Sequence, residues 1–170
     1  LYAALRKVGP ATADEVATEA GCAPRYVREW LSAQAASGYV SHENGCFSLT
    51  PEKALIFAEP DSPVNLIGAF DTAAAMVENQ PKVQAAFKTG KGHGWSDHNS
   101  CLFCGVDRFF RPGYRAHLVA EWLPALDGVV AKLERGARVA DVGCGHGVST
   151  LLMAEAFPNS EFVGIDFHEA

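Results

Sequence analysis

Apolar residues recur at helical spacing in three short segments at the start of the chain. The first segment ends at Gly9-Pro10, the second begins at the capping-box pair Thr12 and Glu15, and the third begins at Pro24. Two short strands, residues 39–42 and 46–50, then flank Asn44-Gly45, a dipeptide typical of tight hairpin turns. Three helices followed by a hairpin is the order of a winged helix-turn-helix domain, which we assign to residues 1–59.

The pattern is less regular over residues 60–135, which we interpret as a helical connector. Residues 65–76 and 81–87 have helix-compatible composition, and residues 89–100 are typical of a loop. Residues 106–133 are predicted to be mostly helical, with interruptions at Pro112-Gly113 and Pro124.

A strand, a glycine loop, a helix and a second strand are predicted over residues 136–170. Apolar residues lead into the loop, helical spacing resumes over residues 148–157, and a strand over residues 161–165 ends on Asp166. In such a unit the final acid emerges beside the glycine loop, where its carboxylate can accept hydrogen bonds from ribose hydroxyls. The alternative is a purely structural role, in which the glycines form a tight turn and Asp166 is an ordinary acid at the end of a strand.

The glycine spacing distinguishes between two cofactors. A dinucleotide-binding turn has the pattern G-x-G-x-x-G, but Val148 occupies its last position, and Gly143, Gly145 and Gly147 form G-x-G-x-G. A nicotinamide-dependent oxidoreductase is therefore disfavoured. The motif resembles the first motif of class I S-adenosylmethionine-dependent methyltransferases.

This resemblance implies a set of cofactor-binding residues. The loop would face the methionine part of S-adenosylmethionine, Asp166 would hold the ribose and Phe167 would lie against adenine. Tyr114 is a further candidate because its aromatic ring carries a polar tip. The candidate cofactor residues are Tyr114, Asp141, Gly143, Cys144, Gly145, Gly147, Asp166 and Phe167.

The whole chain resembles a bacterial group of class I methyltransferases that carry an N-terminal winged helix and a helical connector. Residues 25–31, 38–40 and 109–114 carry this resemblance. It implies an α/β Rossmann-like methyltransferase domain, with only its first β-α-β unit present, after the winged helix. It also implies that the winged helix mediates homodimerisation, to which apolar surface around Trp30 is expected to contribute.

The composition of the chain bears on which partners it can bind and on the cellular compartment in which it is expected. The 170 residues are 48% hydrophobic and carry a formal net charge of −6, which is ordinary for a globular protein and unfavourable for general nucleic-acid binding. No export signal or membrane-spanning run is present, and five cysteines without a regular framework favour a cytoplasmic protein. Because a parallel sheet needs several crossover units, we expect a C-terminally truncated fragment whose catalytic residues lie beyond Ala170.

Two other groups of residues suggest a function. Arg25 and Arg28 occupy the position of a DNA-recognition helix, but the net charge of the surrounding segment is unfavourable. The residue types of a second group would suit a zinc ion, but their spacing is not that of a zinc site. We therefore interpret its cysteines as buried thiols and its histidines as loop residues, and we expect no metal. This group comprises His93, His98, Cys101 and Cys104. His98 is also a weak candidate for a general base.

The sequence is therefore interpreted as part of a methyltransferase that acts on a small molecule. The principal alternative is a winged-helix transcriptional regulator that senses a ligand through a methyltransferase-like domain.

Overall fold

The computed structural model describes residues 1–167 and divides into two compact units, Leu1–Asn65 and Leu66–Ala170. Residues 60–65 of the predicted connector fall in the first unit, and residues 66–135 belong to the second unit together with the glycine-loop segment. Residues 168–170, which the sequence analysis includes in the cofactor domain, lie outside the described residues.

The first unit is a winged helix-turn-helix domain. Residue Phe47 exchanges two backbone hydrogen bonds with Ala11, at 3.0 and 2.7 Å, which adds a third short strand segment to the hairpin. Leu5, Val16 and Leu31 form the centre of its apolar core. Its elements are α1 (Tyr2–Val8), α2 (Ala13–Ala20), α3 (Pro24–Ala36), β1 (Ser41–Glu43), β2 (Cys46–Ser48) and α4 (Pro51–Phe57).

Local sequence signals fix the ends of these elements. Glu15 Oε2 accepts the Thr12 N–H at 2.8 Å, and the Thr12 hydroxyl accepts the Glu15 N–H, so the predicted capping box is confirmed. Asn44 and Gly45 have φ of 51° and 80°, as the predicted hairpin turn requires. The two strands are shorter than predicted.

Trp30 packs within this unit. Its ring lies edge-on to that of Tyr2 at 4.7 Å between centroids, and Tyr2 stacks on Phe57 at 4.9 Å. Trp30 is half-buried against the core, and the Tyr2 ring of α1 covers part of its apolar surface.

The second unit begins with a closely packed helical region. It consists of α5 (Ile67–Glu78), α6 (Gln80–Thr89), a single 3-10 turn (Trp95–Asp97), α7 (Ser100–Gly113) and a π-helical segment (Tyr114–Trp122). Glycines bring α5 and α7 together: a Cβ on Gly68 would overlap the backbone nitrogen of Phe109, and one on Gly105 would lie 2.8 Å from the Thr72 nitrogen. The absence of a Cβ at these two glycines therefore permits the close approach of the two helices.

Two predictions about α7 are corrected by the structure. The helix begins at Ser100 rather than at Val106, because the Asn99 side chain accepts the Cys101 N–H at 2.9 Å and caps it. Pro112-Gly113 does not interrupt the helix. Proline has a helix-compatible φ and lacks only one donor, and Gly113 adopts ordinary helical angles (φ −64°, ψ −44°) before the chain continues in wider π-helical turns.

The unit ends with the start of an α/β Rossmann-like fold. Its elements are α8 (Val129–Arg135), β3 (Arg138–Val142), α9 (Val148–Ala156) and β4 (Glu161–Ile165). Strands β3 and β4 are parallel, with Asp141 opposite Gly164. Leu123, Leu133 and Phe157 form the buried core beside this β-α-β unit. Across residues 1–167, no helix combines the length and apolarity needed to span a membrane.

Candidate functional site

A cleft of about 210 Å³ opens where the glycine loop faces α7. Its walls are formed by the carboxyl ends of β3 and β4, the loop between β3 and α9, α7, the first residue of the π-helical segment and the 3-10 turn. The lining residues are Trp95, Phe103, Val106, Asp107, Phe110, Tyr114, Asp141, Gly143, Cys144, Gly145, His146, Val148, Ser149 and Asp166.

The glycine loop presents backbone to the cleft. Gly143, Gly145 and Gly147 have φ of 78°, 53° and 75°, which side-chain-bearing residues rarely adopt. Among the described residues, no protein atom lies within 4 Å of a Cβ built on any of the three. The loop therefore leaves open space that a ligand can approach closely.

Asp141 is held in place at the end of β3. Its Oδ2 accepts hydrogen bonds from the hydroxyl groups of Ser149 and Thr150, both at 2.7 Å. These hydroxyls belong to the first turn of α9, where the helix dipole also favours a negative charge. The carboxylate is thus oriented before any ligand binds.

Asp166 contacts the glycine loop directly. Its Oδ2 accepts the backbone N–H of Gly145 at 2.8 Å. Asp166 also lines the cleft, as expected for the acid that follows the second strand. This residue therefore stabilises the loop as well as standing where a ribose-binding acid is expected.

Aromatic side chains form the opposite wall. Trp95 and Phe103 meet edge-to-face at 5.3 Å between centroids, and Phe110 and Tyr114 stack at 6.1 Å. Tyr114 lies on the cleft, as expected for a ligand contact. Phe110 is half-exposed and lines the cleft, because α7 turns this face toward the loop. Phe109 lies off this face.

A carboxylate on α7 faces the histidine of the glycine loop. Asp107 Oδ2 lies 3.8 Å from His146 Nδ1 and also pairs with the Arg111 guanidinium. The Asp107 side chain is only 12% exposed, whereas that of His146 is 36% exposed. The sequence does not place these residues together, because they come from different elements.

His98 lies away from the cleft. Its Nδ1 contacts the amide of Asn79, and its ring lies 4.4 Å from that of His93 between centroids. Burial lowers the pKa of His98, and the neighbouring charges of His93 and Lys82 lower it further, against an opposing effect of Asp97. His98 does not line the cleft, although Trp95, whose ring is 5.4 Å away, does.

The cysteines near these histidines are on the first turns of α7. Cys101 and Cys104 are exposed, so the interpretation as buried thiols is wrong; the apolar Leu102 between them faces the interior instead. In the described part of the chain, no three histidine, cysteine or acidic side chains gather in a way that could hold a metal ion.

Most sequence-predicted cofactor residues meet at the cleft. Six of them line it: Tyr114, Asp141, Gly143, Cys144, Gly145 and Asp166. Gly147 and Phe167 do not; Gly147 precedes the first residue of α9, and Phe167 is exposed. Trp95, Phe103 and Asp107 also line the cleft and were not predicted from the sequence. For Phe103 and Asp107, the strong amphipathicity of residues 100–113 is the signal that could have indicated a ligand-facing side of α7.

The charge of the cleft suits a cationic ligand. Three carboxylates line it, those of Asp107, Asp141 and Asp166, and one of them is neutralised by Arg111. S-adenosylmethionine carries a sulfonium and an ammonium group against a single carboxylate, so its net charge is positive. The residues present therefore fit this cofactor in both charge and backbone access.

The arginines of the winged helix are engaged in ion pairs. Arg25 pairs with Glu29 at 3.0 Å, and Arg28 pairs with Asp14 at 3.0 Å. A DNA phosphate would have to compete with these acidic partners for both guanidinium groups.

Two family models match the chain. Residues 1–58 match the Rv2258c-like winged HTH domain, and residues 133–170 match a methyltransferase domain. No curated protein matches the sequence.

Solved structures of methyltransferases share the fold. An O-methyltransferase family protein from Burkholderia thailandensis has a TM-score of 0.60 at 16% identity, covering 91% of this chain and 46% of its own. A protein from Nostoc punctiforme that is named a putative O-methyltransferase has a TM-score of 0.63 at 16% identity. The match covers 96% of this chain and 48% of that protein. The SAH-bound form of a methyltransferase in calicheamicin biosynthesis has a TM-score of 0.56 at 19% identity. The match covers 97% of this chain and 51% of that protein.

The chain spans about half the length of these solved structures. Taken together, the two domain matches and the shared fold identify a winged helix-turn-helix domain followed by a helical region and part of a Rossmann-like methyltransferase fold.

Proposed function

We propose that the cleft binds S-adenosylmethionine and that the protein transfers a methyl group to a small-molecule acceptor. The observation that carries this proposal is the glycine loop, which is open toward the cleft and bordered by Asp141 and Asp166. Support also comes from the methyltransferase family match and from the SAH-bound forms of two proteins with this fold.

The cofactor, when bound, supplies an electrophilic methyl group on a sulfonium. The residues of this chain would bind and orient it. Loop N–H groups and the fixed Asp141 carboxylate would hold its methionine part, and Asp166 would hold the ribose. The aromatic wall would exclude water and place an acceptor beside the methyl group, and such positioning supplies much of the rate in a direct displacement.

Calorimetric titration of the protein with S-adenosylmethionine, S-adenosylhomocysteine and NAD tests this proposal. We expect both sulfur cofactors to bind and NAD not to bind. Gly145→Val should abolish binding, because its φ of 53° disfavours a branched side chain and the added atoms fill the ligand space.

Gly113→Ala is the matched control, since Gly113 has helical angles and lies outside the loop. Tight binding of NAD, or sulfur-cofactor binding that survives Gly145→Val, would overturn the cofactor assignment.

We also propose that the protein is a cytoplasmic homodimer that associates through the winged helix. Exposed apolar side chains of this unit, including Tyr26 and Leu55, support self-association. Sedimentation at micromolar concentration should give a dimer that Leu55→Glu or Tyr26→Glu weakens. A monomer under these conditions would contradict this proposal.

A further inference from the structure

We propose that Cys101 and Cys104 form a reversible dithiol–disulfide pair, and that closing the disulfide rearranges the first turn of α7 and the aromatic wall of the cleft. The two residues are the ends of a C-x-x-C sequence, Cys101-Leu102-Phe103-Cys104. The inference concerns a covalent modification rather than methyl transfer. It does not depend on whether the cleft binds a cofactor.

Both thiols are accessible and lie on the same side of α7. Cys101 and Cys104 are exposed, whereas Leu102 between them is 5% exposed and faces the interior. Residues three apart in a helix are neighbours on its surface, with Cβ atoms about 5–6 Å apart. In the reducing compartment that we propose for this protein, an accessible dithiol is typical of a transient, redox-sensing disulfide.

The position of the pair in the helix makes closure possible. A disulfide requires Cβ atoms about 3.5–4.5 Å apart, so the two residues must approach each other by roughly 1–2 Å. Cys101 is the second residue of α7, where backbone N–H groups have no partner within the helix. Its N–H is bound by the Asn99 side chain at 2.9 Å instead. The Leu102 N–H donates to the Asn99 carbonyl at 2.9 Å, in an i+3 bond of the tighter 3-10 type. The first turn can therefore tighten with the loss of few helical hydrogen bonds.

Neighbouring residues connect this turn to the cleft. Phe103 lies between the two cysteines, lines the cleft and packs edge-to-face on Trp95 at 5.3 Å between ring centroids. Gly105, which follows Cys104, lies against α5, since a Cβ there would be 2.8 Å from the Thr72 nitrogen. That close packing fixes α7 from Gly105 onward. The shift on closure is therefore expected to fall on the first turn and on Phe103.

Oxidation of the pair by a low-molecular-weight disulfide balances in atoms and electrons. The sulfur of one cysteine attacks the small disulfide, forms a mixed disulfide and releases one small thiol. The sulfur of the other cysteine then attacks the first, which closes the bond between Cys101 and Cys104 and releases a second small thiol. The two cysteines lose two electrons and two protons, and the two small thiols carry them. An excess of small thiol reverses both steps.

Peptide mapping in a glutathione redox buffer is the first test. Trypsin cuts after Lys91 and Arg108, so one peptide carries both thiols and no other cysteine. After alkylation of free thiols, the oxidised form of this peptide should be unalkylated and lack two hydrogens. The exposed Cys22, alone in its own tryptic peptide, is the matched control.

The concentrations of oxidised glutathione that modify the two peptides decide the outcome. At about 0.1 mM reduced glutathione, the disulfide should be half formed at a concentration of oxidised glutathione at least roughly tenfold below the one that half-modifies Cys22. The reason is that the second thiol reacts within the same chain. A peptide that stays reduced, carries glutathione or is linked to another cysteine when Cys22 is half modified would overturn the proposal.

Cys101→Ser and Cys104→Ser distinguish a pair from two independent thiols. In each variant the remaining cysteine should behave like Cys22 and take up glutathione only at the higher concentration. A remaining cysteine that is modified as readily as the pair in the unmodified protein would show that the two thiols do not act together.

The indole N–H signals of the tryptophans test the coupling to the cleft and require neither cofactor nor turnover. Closing the disulfide should shift the Trp95 signal, which Trp95→Phe assigns, and added small thiol should restore it. The Trp30 signal is the internal control, because this residue packs in the first unit, and it should stay in place. A disulfide that forms without a shift of the Trp95 signal overturns the coupling. So does an equal shift in the Cys101→Ser/Cys104→Ser double variant.

Discussion

The carboxylate of Asp166 and the backbone N–H of Gly145 are joined by a 2.8 Å hydrogen bond at the edge of the cleft. The residue that we propose to hold the ribose thus also fixes the middle of the glycine loop. Under the proposed function, ligand binding and loop geometry would depend on the same side chain.

Asp166→Ala is expected to weaken S-adenosylmethionine binding and to loosen the loop. Losing charge-assisted hydrogen bonds costs about 2–3 kcal/mol, which is roughly thirty- to 150-fold in affinity. Amide exchange at Gly145 should become faster because its hydrogen bond is removed. Calorimetry and hydrogen exchange measure the two effects, with Glu155→Ala on the exposed side of α9 as the control. Unchanged affinity would contradict the assignment of Asp166.

Gly68→Ala is expected to destabilise the second unit by roughly 1–3 kcal/mol, because the added methyl group overlaps the backbone of α7. Gly113→Ala is the matched comparison. Its Cβ meets no protein atom within 4 Å and its φ is −64°, so it should stabilise by about 0.5–1 kcal/mol. Urea unfolding of both variants measures the difference. Equal effects would mean that α5 and α7 are not in close contact.

Acidification is expected to weaken α2 through the capping box. The hydrogen bond from the Thr12 backbone, and then that from its side chain, lower the pKa of Glu15 from its ordinary value of 4.5. This stabilisation is complete above 4.5 and is lost as the pH falls through the lowered value in the folded state. The protection factors of the α2 amides, which correct for the intrinsic pH dependence of exchange, should therefore fall less between pH 7 and 3 in Glu15→Gln than in the unmodified protein. Glu43→Gln, in the hairpin, should behave like the unmodified protein.

DNA binding is expected to be no stronger than non-specific. Arg25 and Arg28 are paired with acids, and the chain carries a formal net charge of −6. A gel-shift series at low salt, where electrostatic binding is strongest, measures this. A sequence-specific shift that disappears in Arg25→Ala or Arg28→Ala would favour the transcriptional regulator.

Local chemistry explains which elements the sequence could predict. Thr12, the Asn44-Gly45 turn and the loop glycines each act through their own backbone or that of a near neighbour, so their structures follow from short stretches of sequence. The wall formed by Trp95 and Phe110, and the meeting of Asp107 with His146, depend on how α7 packs near the loop. No local pattern contains that information. The exposure of Cys101 was mispredicted for the same reason, because composition does not tell which side of α7 is covered.

The unbroken passage from α7 into the π-helical segment has an evolutionary consequence. One side of the cleft is made of loop backbone and fixed carboxylates, where few substitutions are compatible with the left-handed glycines. The other side is made of side chains on one continuous helix, at Val106, Phe110 and Tyr114. Under the proposed function, substitutions at these helical positions would reshape the side of the cleft that faces the acceptor and leave the glycine loop unchanged. A lineage built on this scaffold could then diversify its acceptors through single substitutions along one helical face.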